Sequence, residues 1–141
     1  MKDPKRQLQI AYFGILSDAL DVSVYDFVPS DPSYPYVKIG EYTEVDYSDK
    51  TRFGEDLTII IQVVDRSGAS GGSRLALYDI VDKVKSAIRA RPVPFDLGDF
   101  NVITSTVDNE TTFRELTDTH LYYNTNIRFR HLIEQNGDNN E

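Results

Sequence analysis

Apolar positions recur along the chain with two periods, and the places where each period begins and ends outline the elements. Leu8, Ala11, Tyr12, Ile15 and Ala19, with Leu16 beside them, follow the i, i+3, i+4, i+7 spacing of one helical face and predict a helix over about Pro4 to Leu20. Asp3 stands where it can cap that helix, and Pro4 fits the first turn, where its missing N–H costs nothing. "VSVYDFV" is β-rich but short, because Pro29, Pro32 and Pro35 follow and withdraw backbone donors. A longer strand is predicted from Tyr36 to about Tyr47, alternating Val37, Ile39 and Val45 against Lys38, Tyr42 and Glu44.

After the polar connection "DYSDKTRFGED" comes "LTIIIQVVDR", with Leu57, Ile59, Ile61 and Val63 on one face and Ile60 and Val64 on the other. A strand apolar on both faces belongs near the middle of a sheet. "SGASGGS" reads as a flexible connector, followed by a second amphipathic helix carrying Leu77, Ile80, Val81, Val84 and Ile88. Arg89 and Arg91 suit its negative C-terminal end and Pro92 stops it. "FNVITSTV" is a further strand. "THLYYNTNIRFRHLI" sets Leu121, Tyr123, Thr125, Ile127 and Phe129 against His120, Tyr122, Asn124, Asn126, Arg128 and Arg130. The order of elements predicts an α+β fold: one domain over residues 1–133, an antiparallel sheet of four to five strands, two main helices packed on it, and a flexible tail at 134–141.

Composition narrows what such a domain does. The chain has 141 residues, 40% of them hydrophobic, enough for one proper core and too apolar for disorder. Its net charge of −8 argues against a broad basic surface that grips nucleic acid, while leaving room for an acidic wall along which nucleic acid slides without sticking. Without cysteine there is no disulfide, thiolate metal site or thiol nucleophile. No stretch approaches the roughly 18 apolar residues of a membrane span. The N-terminal apolar positions are periodic and broken by Gly14, Ser17 and Asp18, unlike a signal peptide, which points to the cytoplasm and to no membrane partner.

The candidate chemistry is thin. "GASGGSR" between a strand and a helix suggests a phosphate cradle, but it matches neither G-x-x-x-x-G-K-[ST] nor G-x-G-x-x-G, and the predicted hairpins are antiparallel. His120 and His131 are an odd number of residues apart on one strand, so they face opposite ways and share no metal. Asp118, His120 and a Ser105 across the hairpin would make a triad, yet no nucleophile-elbow sequence accompanies them. Glu41, Glu44, Asp46, Asp49, Glu55 and Asp56 lack a D-x-[DN]-x-[DN]-G calcium pattern and read as a solvated acidic end of a hairpin. Neither catalytic residues, a metal nor a cofactor is expected, and the protein is read as a non-enzyme.

What stands out is aromatic surface. Of nine tyrosines, Tyr34, Tyr36, Tyr42, Tyr47, Tyr122 and Tyr123 gather on two strands, and tyrosine is enriched where an apolar ring is buried against a partner while its hydroxyl stays bonded. Roofing the core is the alternative for each singly. Arg52 and Phe53, a cation and an aromatic at a hairpin tip, join them as interface candidates, and the "DYSDKTRFGED" and "SGASGGS" loops are expected to be mobile until a partner orders them.

The helix "LQIAYFGILSDAL", the pairing of "VYDFVP" with "YPYVKIGE", the unit "LTIIIQVVDRSGASGGSRLALYDIVDKVKSAI" and the strand "HLYYNTNIRFRHLI" resemble the tail-completion proteins, or tail terminators, of long-tailed bacteriophages, over roughly Leu8 to Ile133. The resemblance implies a structural virion protein at the head–tail interface, assembled in the host cytoplasm. It implies a ring, usually a hexamer, that caps the tail tube and meets the head-completion connector, with the tube protein, the connector and its own copies as partners. DNA then passes through without specific binding, and Glu41, Glu44, Asp46, Asp49, Glu55 and Asp56 become candidates for the channel wall. The prolines of "VPSDPSYPY" would pre-order an edge for docking. A head-completion or minor capsid component, and a phosphate-binding enzyme using the Gly/Ser loop, remain as alternatives.

Overall fold

The computed structural model describes residues 3–46, 48, 53–68, 74–90 and 95–135. They form α1 (Lys5–Ala19), β1 (Ser23–Tyr25), β2 (Tyr36–Asp46), β3 (Gly54–Gly68), α2 (Leu75–Ile88), β4 (Phe100–Leu116) and β5 (His120–Gln135). The strands make one sheet in the order β1-β2-β3-β5-β4. Every pairing is antiparallel except that of β1 with β2, which is parallel, so the sheet is mixed where an antiparallel one was expected. That exception follows from the connection at 26–35, which is too long for a tight hairpin and returns the chain to run beside β1 in the same direction.

Both helices cover one face of the sheet. Leu8, Tyr12 and Leu16 of α1 and Leu77, Ile80, Val81, Val84 and Ile88 of α2 are buried with Leu57, Ile59, Ile61 and Val63 of β3 and Ile127, Phe129 and Ile133 of β5 in one core. Each of these side chains contributes about 1.5–3 kcal/mol by leaving water, and their spacing is why the helices and strands form where they do. β3, apolar on both faces, is the central strand, as its sequence predicts. Asp3 does serve the start of α1, accepting the Lys5 backbone N–H at 2.9 Å, with Pro4 immediately before the helix.

Two elements depart from their sequence pattern. In β2 the alternation breaks between Ile39 and Tyr42, where Gly40 and Glu41 together oppose Ile60 as a β-bulge. An ideal Cβ at Gly40 would lie 3.1 Å from the Ile60 carbonyl oxygen, which suits the residue without one. Beyond the bulge the parity inverts, so Tyr42 and Glu44 face the helices and Val45, expected in the core, is 62% exposed. β4, expected to end near Val107, continues to Leu116, because its polar half pairs with β5 from Asn109 to Leu116 despite lacking an apolar face.

Candidate functional site

The residue types of catalysis meet in the core, away from solvent. Ser105 is the β4 partner of His131, not of His120, and its hydroxyl lies 2.9 Å from His131 Nδ1. The other ring nitrogen, Nε2, shares a hydrogen bond with the Tyr12 hydroxyl from α1. Burial holds His131 at about 4 and pushes the Tyr12 hydroxyl well above its ordinary value, so both are neutral near pH 7. A tyrosine takes the place of a triad's carboxylate, and His131 and Tyr12 are fully buried. This is a satisfied polar chain fastening α1 to the β4–β5 hairpin. His120 sits at the opposite face, as its spacing from His131 predicts, with its Nδ1 2.9 Å from Thr119 Oγ1. Among the described residues no group of acidic and histidine side chains is placed to hold a metal ion, and no helix is long and apolar enough to cross a membrane.

The face of the sheet away from the helices is open. At one end of it the Tyr34 ring lies tilted at 5.3 Å from Tyr36 and 5.9 Å from Tyr122, Tyr36 lies 5.5 Å from Tyr25, and the Arg66 guanidinium sits 4.3 Å from the centre of the Tyr34 ring. Three interface candidates, Tyr34, Tyr36 and Tyr122, are therefore brought together, by the proline-rich segment folding back over this face. Tyr25 and Arg66 complete the cluster. Sequence reading passed over both, although strand parity sets Arg66 beside Tyr122. Burial raises the Tyr34 and Tyr36 hydroxyls above their ordinary range. Tyr42 does not belong here: the bulge turns it to the helices, where its hydroxyl donates to Gln9. Phe53 is 52% exposed and far along the sheet, its carbonyl accepting the Gln135 N–H at 2.9 Å. Tyr47 and Arg52 lie outside the described residues.

The acidic candidates divide by face. Glu44, Asp46 and Glu55 are on the helix side at the far end of β2 and β3, beside Asp3 and Lys5 at the start of α1. Lys5 Nζ is 3.7 Å from Glu44 and 3.9 Å from Asp3. Partial burial and then Asp3 raise Glu44, while burial and then Glu44, Asp46 and Asp3 raise Glu55. Asp56, next in sequence, points to the open face. There the Arg130 guanidinium grips it, Nε at 2.8 Å and one terminal nitrogen on the second oxygen, lowering Asp56 below its ordinary range. Glu41 is exposed on the bulge, and Asp49 lies outside the described residues.

Among the described residues the helices clad one side of the sheet, Ser105, His131 and Tyr12 are sealed in the core, and the Tyr25, Tyr34, Tyr36 and Tyr122 cluster lies on the other face. The model of the family described as tail completion protein gp17 matches residues 15–134, from the second half of α1 to the end of β5. The chain belongs to that family, and it is a structural protein of the phage virion tail. A chain in the virion of a native gene transfer agent particle shares its fold, with a TM-score of 0.72 at 21% identity over 90% of this chain and 94% of that one. No curated protein is significantly similar in sequence.

Proposed function

We propose that this chain closes the end of the tail tube as a ring, hexameric by the family resemblance, and presents the surface on which the head-completion connector docks. The observation that carries this reading is the family match, which takes in all five strands and so the whole open face and both sheet edges. Its partners are further copies of itself, the tube protein and the connector, at the head–tail interface of particles assembled in the host cytoplasm. DNA passes through the ring without specific binding. Glu41, Glu44, Asp46, Asp49 and Glu55 remain the candidates to line that passage, whereas the Arg130 guanidinium grips Asp56. The tyrosine cluster with Arg66 serves docking, through a rigid aromatic surface with a cation at its rim.

The experiment is addition of purified protein to tails from particles that lack it. Electron microscopy should reveal a ring at the head-proximal tip and restored joining to heads. Tube ends left bare at saturating protein would refute the proposal.

A further inference from the structure

Among the described residues, the sheet has two long edges that no strand fills. β1 covers β2 only along Tyr36–Lys38, so below the bulge Tyr42 to Val45 pair with β3 on one side and, among the described residues, with no strand on the other. β4 is the opposite margin, and its half from Asn109 to Leu116 pairs with β5 without a register shift. Neither stretch contains proline, and the bulges at Ile103 and Asp108 that break the rest of β4 do not reach it. In such a strand alternate residues turn their N–H and C=O groups away from the one neighbour they have.

The edges match each other in direction and in side chains. β2 and β5 run together, β3 and β4 run opposite, so two copies standing in the same orientation bring β4 of one antiparallel to β2 of the next. Faces must also continue, which allows only registers that pair open-face residues with open-face residues. One of these places Val45, 62% exposed, beside Phe113, 43% exposed, on the open face. The same register puts Glu44 beside Arg114 and Tyr42 beside Leu116, itself 67% exposed, on the helix side. Moving two residues one way sets Val45 against Thr111 and Glu44 against Thr112; two the other way sets them against Glu115 and Leu116. Only the first register joins apolar to apolar and acid to base at once. It also adds a cation to the corner where Lys5 lies near Asp3 and Glu44.

We propose that the occupant of the free β2 edge is β4 of a second copy, so that the sheet continues from chain to chain in the Val45–Phe113, Glu44–Arg114 register. This rests on the ring reading for its closure, not for the contact itself. The chain has no cysteine, so engineered pairs report without background. Within one copy β2 and β4 are three strand spacings apart, roughly 14 Å, beyond the reach of a disulfide.

Tails carrying Val45→Cys with Phe113→Cys in the same chain are oxidised, run without reductant, and their copies per tail counted by mass spectrometry. A ladder of linked chains is expected, ending at the size of the closed ring. Val45→Cys with Thr111→Cys should link roughly tenfold less, since the Cβ atoms are then on the diagonal at ~7–8 Å. Several copies per tail with no ladder would overturn the edge contact and leave the ring; so would linking by Val45→Cys alone, which means β2 meets β2. A ladder that runs past any closed size would refute the ring and keep the edge contact. Charge reversal decides independently of the cysteines: Glu44→Arg or Arg114→Glu should each reduce joined tails, and the double variant should restore them. Failure of that restoration counts against the register.

Discussion

Lowering the pH should loosen this protein through His131. Its imidazole is buried between Tyr12 and Ser105, and burial lowers it from an ordinary 6.5 to about 4. In the unfolded chain the ring takes up a proton as the pH falls below 6.5, whereas the folded chain resists until about 4, so the unfolded state binds more protons across that window. Stability from this group is fully present near neutrality and is lost progressively on acidification, by about 2 kcal/mol at pH 5 and about 3 kcal/mol once pH 4 is reached. Glu44 and Glu55 work the other way, because carboxyls raised in the fold favour it as they protonate. The comparison that isolates His131 is therefore between the wild type and His131→Gln, by urea denaturation at several pH values. Glutamine lowers stability throughout, but it should remove about 2 kcal/mol of the fall between neutrality and pH 5. Imidazole resonances followed by NMR give the second measurement. A His131 ring that titrates near its ordinary value, or equal slopes for the two proteins, would refute the reasoning.

Three further outcomes are expected. Ile61→Ala, at a fully buried position on the central strand, should cost about 2–5 kcal/mol in urea unfolding with the fold retained, as large-to-small core changes do. A double-mutant cycle on Asp56→Asn and Arg130→Gln should return little coupling, and less as salt is raised, because the guanidinium end is half exposed and salt screens it. Glu55→Lys in assembled particles should create salt-sensitive retention of DNA and slow its ejection without reducing joined tails; normal ejection would remove Glu55 from the channel wall.

The elements that could be read from sequence are those in which burial and period coincide. Leu57, Ile59, Ile61 and Val63, the α2 face and the β5 alternation all occupy the core as their spacing predicts, because each belongs to a regular element with one dry side. Val45 and Tyr42 were misread since one inserted residue reverses strand parity, and the chain gives no sign of it beyond a glycine. The second half of β4 escaped because an edge strand clad on neither side needs no apolar period; its β5 partner decides its conformation. The acidic group appeared single because nearness in sequence was taken for nearness in space, yet Glu55 and Asp56 are adjacent and point to opposite faces. Ser105 was set across from the wrong histidine for a related reason: the register of a long hairpin follows from its turn and its bulges, which local composition does not report.

The bulge at Gly40 and Glu41 also changes what a length difference means in this strand. Remove either residue and Val37, Ile39, Tyr42 and Glu44 form an unbroken alternation, with Tyr42 still opposite Ile59 and nothing crossing to the other face. An insertion one position past Tyr42 has no such immunity, since it would carry Glu44 and Asp46 over to the open side. The middle of β2 is thus a place where the chain can lose a residue silently. A gap there, in the interior of a paired strand, would be a true difference between homologous folds and not a fault of alignment.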